Sequence, residues 1–267
     1  MVTKLFKKYL FLYWRILKFN LVREMQYRGN FWAVNIVTFL WSASQVLYYV
    51  FIFNYVKNIK GWNLGQLLVL TGLFIVFNSI FKSVFEENFT HLPRAIYRGE
   101  LDFVLTKPIN SQFLVTLSRF SLRSLLRIIA GLGILIWALA AYRLQITFSG
   151  ALMAAVAMFF GFVIIYSFWF MTLILAFWVG NIENLYYLFM PIFSISRNPI
   201  DIFPRAIQGL FSFVIPLTFV ATIPTQVLLG RDIGQMLLLG FVLAGFSLWI
   251  SHQLWLTALR SYTSASS

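Results

Sequence analysis

"RAIYRGELDFVLTKPINSQF", residues 94–113, places Arg94, Arg98, Glu100, Asp102 and Lys107 within fourteen positions and is closed by Pro108. The chain around it is 60% apolar and only 11% charged, with a mean hydropathy of +0.82. Soluble domains use roughly 45–50% apolar residues, so 267 residues of this composition describe an integral membrane protein, and the polar stretch is an insert between apolar runs. Runs near twenty residues, the length a helix needs to cross a hydrocarbon core of roughly 30 Å, occur at 31–53, 63–84, 124–142, 151–178, 205–228 and 233–256. The expected fold is an all-α membrane protein with about six transmembrane helices. Pro216 and Pro224 interrupt the fifth run.

Six spans put segments 1–30, 85–123, 179–204 and 257–267 on one side of the membrane. Only Lys57, Lys60, Arg143 and Arg231 of the 21 Lys and Arg fall on the other. Basic residues favour the cytoplasmic side of short loops, which predicts cytoplasmic termini and a cytoplasmic insert. The net charge of +13 is then explained by basic loops under an anionic leaflet, with no nucleic acid required. Cysteine is absent, which excludes disulfides and thiolate metal sites. Lys4, Lys7, Lys8, Arg15 and Lys18 interrupt any cleavable signal core.

Those same residues form one sector of a helical wheel, with Leu5, Phe6, Tyr9, Leu10, Tyr13, Trp14, Ile16 and Leu17 covering most of the rest. Residues 1–30 therefore read as an amphipathic helix lying in the membrane interface and turning into the first span at Gly29–Asn30. It serves either as a topological anchor or also as a contact for a cytoplasmic partner. A second helix is expected to begin at Pro93 and to end at Gly99, and whatever follows stops at Pro108. Asn110 or Ser111 then caps a helix that carries Arg119, Arg123 and Arg127 on one face into the third span. A loop serving topology alone needs only positive charge, yet Glu86, Glu87, Glu100 and Asp102 are half of the chain's eight acids. Mixed charge on a proline-bounded segment suits docking to a protein surface.

"GELDFVLTKPIN" at 99–110, "RNPIDIFP" at 197–204 and "VIPLTFVATIPTQVLLG" at 214–230 together resemble the type-2 ABC export permeases of bacteria, in particular a six-span branch that works as paired permeases beside a separate ATPase. The resemblance implies that the segment after the second span, within 85–113, is a coupling helix seated on a nucleotide-binding subunit. Arg94, Arg98, Gly99, Glu100, Asp102, Lys107 and Pro108 would form or shape that contact. It also implies a re-entrant element near Pro216–Pro224, a second permease, surrounding membrane lipids and a bacterial inner membrane. ATP and Mg would bind the partner ATPase and not this chain.

The residues agree with that division of labour. The one Lys-Ser pair, Lys82–Ser83, follows phenylalanine rather than the glycine of a phosphate loop. None of the carboxylates falls in the middle of an expected span, which disfavours a proton-coupled carrier, and His91 and His252 lack acidic neighbours at metal-ligand spacing. Both histidines read as structural. The chain is expected not to be an enzyme. Asn35, Thr38, Ser42 and Gln45 line one face of the first span, and Thr71, Asn78 and Lys82 one face of the second. Polar groups avoid lipid, so these faces point either into the subunit as interhelical contacts or onto a translocation path shared with a second permease. Ala154, Ala157 and Gly161 in the fourth span, with Gly240, Ala244, Ser247 and Ser251 in the sixth, read as packing seams. The 30 Phe, 12 Tyr and 9 Trp read mostly as lipid-facing or belt residues. Alternatives to the permease are a membrane scaffold subunit and an ion-coupled carrier.

Overall fold

In a computed structural model the described residues are 2–25, 28–180, 185–231 and 234–262, and within these the side chains of 2–10, 23–25, 28, 30, 123 and 186–188 are excluded. Five helices are long and apolar enough to cross a membrane, at Phe31–Phe53, Leu64–Tyr97, Ser124–Ala141, Phe148–Val179 and Gly234–Ser261. The described residues contain no β-strand. The chain is an all-α, multi-pass membrane protein.

Helix α1 (Val2–Met25) precedes α2 (Arg28–Phe53), so Gly29 lies inside α2 and the break falls at residues 26–27. Arg15 lies over the ring of Phe11, and exposed Phe11, Trp14 and Phe19 leave α1 an apolar surface suited to the interface. The rest of its basic sector, Lys4, Lys7 and Lys8, lies outside the described side chains, as do Leu5, Phe6, Tyr9, Leu10 and Asn30.

After α2 the chain turns at Lys60 and Gly61, both with positive φ, in the manner of a two-residue hairpin turn. That turn drives Trp62 into the protein. Asn63 and Gln66 close a reciprocal capping box at the start of α3 (Leu64–Phe81). Helix α3 widens into a π stretch at Lys82–Glu86 and continues as α4 (Glu87–Tyr97). Pro93, expected at a helix start, lies inside α4 and is buried. Its missing N–H removes one backbone bond from a helix that tertiary packing nevertheless carries through. Beyond the short α5 (Asp102–Leu105) and α6 (Ser111–Leu117), helix α7 (Leu122–Ala141) returns across the bundle, and α8 (Phe148–Ile174) and α9 (Ala176–Val179) come back.

The main correction concerns the fifth crossing. Residues 205–228 form no continuous span but α11 (Arg205–Gly209), a π turn, a break at Ile215–Pro216, a 3-10 turn and α12 (Thr222–Leu228). Helix α10 (Leu185–Ser194) and the turns that follow it lead into this stretch. Helix α9 packs on α4 at one end, and Asp201 meets Trp62 at the other. Residues 203–228 then dip inward and return, with Phe219 against Gly161 midway along α8 and Leu228 beside Gly150 at its start. This is a folded-back helical hairpin enclosed by the bundle. Pro216 dictates it, because the residue before a proline leaves the helical region, and Ile215 sits at φ −121°, ψ 82°. Pro224 is tolerated as the third residue of α12, where an N–H has no intrahelical acceptor. Irregular backbone at this depth is viable only when enclosed by protein, and residues 216–225 are all buried.

Helix α13 (Gly234–Ser261) closes the bundle and extends into the expected tail at 257–267 as far as Ser261, while 263–267 lie outside the described residues. Its Gly240 and Ala244 face the hairpin, where a Cβ on Gly240 would strike the Phe219 ring. Between α3 and α7, added Cβ atoms on Gly72 and Gly131 would approach each other's carbonyl oxygens to 2.9 and 3.0 Å. These small residues are seams of close helix approach, the contact that holds helices together in lipid. Many aromatics, however, are internal. Phe77, Phe81, Phe89, Trp169 and Phe170 are fully buried, with centroids of Phe77 and Phe162 at 4.1 Å and of Trp169 and Phe189 at 4.6 Å.

Candidate functional site

Gly99, at φ +74°, ends α4 as a left-handed cap, and Asn110 caps α6 by accepting from the Phe113 N–H. Between these caps α5 projects from the bundle end shared by α4, α6 and α9. Leu101 is buried beneath it, while Phe103 is 74% exposed with Tyr97, Arg98, Lys107 and Pro108 also on the surface. Arg94 is exposed as well and makes contacts within the protein.

The acids of this segment sit differently. The Glu100 carboxylate lies 3.4 Å from His91 Nε2, and Asp102 stands near Tyr262. Burial, and then Asp102, push the Tyr262 hydroxyl above its usual range. The surface of the segment is thus mostly basic and aromatic, with Glu100, still 41% exposed, beside His91 and Asp102 near Tyr262.

A polar hinge holds the segment to the spans. Asn88 donates to the carbonyls of Val84 and Arg119 at 2.8 and 2.7 Å, and its Oδ1 accepts from the Arg119 N–H at 2.9 Å and the Ser118 hydroxyl at 3.2 Å. Ser83 and Ser121 exchange two further bonds at 2.7 and 2.9 Å. Asn20 of α1 donates to the Ser118 carbonyl at 3.3 Å. The break at 118–121 overturns the expected single helix carrying three arginines. Arg119 lies in the break, 3.6 Å from Glu87, Arg127 donates to Thr38, and the Arg123 side chain lies outside the described ones. Sequence reading missed Asn88, Ser83 and Ser121, whose only signal was polarity inside an apolar helix. On the other flank, Trp255 of α13 donates to the Ser111 hydroxyl, and Gln112 bridges Tyr166 and His252.

The expected path residues separate into several environments. Asn35 donates to the Phe31 carbonyl and borders, with Thr38 and Arg127, a cavity of about 610 Å³ between α2 and α7. Ser42 is buried and donates to the Thr38 carbonyl, whereas Gln45 lines a second cavity of about 390 Å³ with Tyr49, Arg197 and Asn198. Thr71 is buried and bonded to its own helix. Lys82 pairs with Glu86 at 3.3 Å. Asn78 Oδ1 is shielded and accepts no hydrogen bond among the described residues, and the same holds for Thr218 Oγ1 in the hairpin.

At the opposite end Asp201 joins the hairpin to the first loop. Its carboxylate accepts from Trp62 Nε1 and Gln226 Nε2, both at 3.1 Å, while Gln208 donates to its carbonyl. The Arg231 guanidinium lies 5.1 Å above the Trp62 ring.

A helical bundle with five span-length apolar helices, a folded-back segment at 203–228 and an exposed basic and aromatic segment is the arrangement a family comparison can test. The model of the ABC-2 family transporter proteins matches residues 39–266. The chain belongs to that family. No curated protein matches the sequence. The match takes in α4–α6, the hairpin and α13, so the ABC-2 assignment covers every element described above except α1 and the first part of α2.

Proposed function

We propose that this ABC-2 protein is the permease subunit of an ATP-driven exporter, paired with a second permease and energised by ATPase subunits that dock on residues 94–108. The observation that carries the reading is a projecting segment that is rigidly attached. Exposed Phe103, Tyr97, Arg98 and Lys107 offer an aromatic centre within a basic rim, the composition of a protein-binding patch. Beneath them, the Asn88 hinge and the Trp255 and Gln112 bonds transmit any displacement of the segment to α3, α7, α8 and α13. Closure of the ATPases on ATP would move the segment as a unit and tilt those helices, a shear-type transition. In this reading the basic end faces the cytoplasm of a bacterial inner membrane and the Asp201 end the outside, as the preference of basic residues for the cytoplasmic side supports. Asn78 and Thr218 supply unmet polar groups within the bundle, as a path toward the hairpin requires.

Co-purification with an ATPase expressed from the same operon tests the reading. Phe103→Asp combined with Arg98→Glu should abolish co-purification and ATP-dependent transport while the permease retains its melting temperature. Reversal of Glu100 and Asp102 should act more weakly on docking, because both acids have neighbours within the protein, His91 and Tyr262. Unchanged co-purification in the Phe103/Arg98 variant would leave the segment a topological loop.

A further inference from the structure

A cavity of about 620 Å³ lies between the end of α3, α6, α8 and α13. Its walls are largely apolar, and Phe159 on them is 62% exposed, so the cavity opens to the lipid side of the bundle. Among its lining residues are Gln112, Tyr166 and His252 and no Lys, Arg, Asp or Glu.

Asn110 and Thr116 also line it, and Gln112, Tyr166 and His252 form a bonded chain with a defined direction. Gln112 Nε2 donates to the Tyr166 hydroxyl at 3.1 Å, and Gln112 Oε1 lies 2.7 Å from His252 Nδ1. An amide oxygen only accepts, so His252 carries its hydrogen on Nδ1. In the neutral ring Nε2 is then left as an acceptor, and it receives no hydrogen bond among the described residues. Tyr166 accepts from the amide and lies beside the Thr116 hydroxyl, whose own hydrogen goes to the Gln112 carbonyl, so Thr116 is the acceptor for the Tyr166 hydrogen. One amide thus fixes a single open acceptor, His252 Nε2, at an apolar cavity of the size that small ligands occupy. A charged head would find no counter-ion there, and an alkane would leave that nitrogen unmet.

We propose that this cavity binds a neutral, hydroxyl-bearing amphiphile drawn from the bilayer, His252 Nε2 accepting the ligand's hydroxyl hydrogen. The proposal goes beyond the exporter reading and does not depend on it, since binding needs neither ATP nor a partner.

The test is photolabelling of the full chain in lipid nanodiscs by a diazirine-bearing sixteen-carbon alcohol and by its methyl ether. The alcohol should label peptides containing residues 110–117 and 248–252 saturably. The methyl ether, unable to donate to His252, should label them about three- to tenfold less, the range one hydrogen bond supports. His252→Phe should reduce alcohol labelling to the ether's level. Val163→Phe, which fills the cavity and leaves the polar groups intact, should reduce labelling by both probes. Equal labelling by the two probes in the unaltered protein, or labelling that does not saturate, would overturn the proposal without any variant having to fold.

Discussion

Asn88 shows how much one buried amide can organise. It satisfies the N–H and the carbonyl of Arg119 at the point where the chain leaves helical geometry. A buried backbone group without a partner costs about 1–3 kcal/mol, so Asn88→Ala should destabilise the protein by at least about 2 kcal/mol, read as a lowered thermal midpoint in detergent. Asn78 should behave in the opposite way. Its Oδ1 is shielded and has no hydrogen-bond partner, so Asn78→Leu should leave that midpoint unchanged or raise it. A loss of transport in the same variant would mark Asn78 as a path residue, and unchanged transport would return it to packing. Neither role was legible in the sequence, because a polar residue within an apolar run has the same signature whether or not its partner is present.

At the scale of elements, the hairpin at 203–228 depends on a latch at its base. Asp201→Ala releases Trp62 and Gln226 together while removing no apolar contact from α12. Hydrogen exchange should rise across 203–228 and stay unchanged across 87–117, and uniform exchange over both segments would disprove a local latch. The seam between α3 and α7 is less forgiving. Gly131→Leu would push a side chain into Val76, Ile75 and the Gly72 carbonyl, and the variant should fail to accumulate in the membrane. The glycine and proline positions were visible in the sequence, and Pro216 was flagged as an interruption. What could not be read was that α10, only ten helical residues and containing Pro191, leads through 3-10 turns into the hairpin, and no periodicity announces those turns.

For the whole molecule, the two ends differ in chemistry. One carries α1, the docking segment and the end of α13, and the other carries Lys57, Lys60, Arg143, Arg231 and the Asp201 latch. Single cysteines are informative in a chain that has none. Cysteine at exposed Lys60 should react with an impermeant maleimide in intact cells, and cysteine at exposed Thr106 only after permeabilisation. The reverse pattern would invert the orientation and place the basic segment out of an ATPase's reach. The membrane class, the apolar runs and the polar insert follow from composition and order along the chain, because burial in lipid demands about twenty apolar residues wherever a long helix crosses. The caps at Gly99 and Asn110 follow from local backbone chemistry and were likewise legible. Tertiary structure alone decided that Pro93 continues a helix, that the fifth apolar run folds back on itself and that Glu100 pairs with His91. It also decided that Gln112, Tyr166 and His252 meet. Each of these depends on a neighbour distant in sequence, and a lone polar or proline residue does not encode which neighbour it will have.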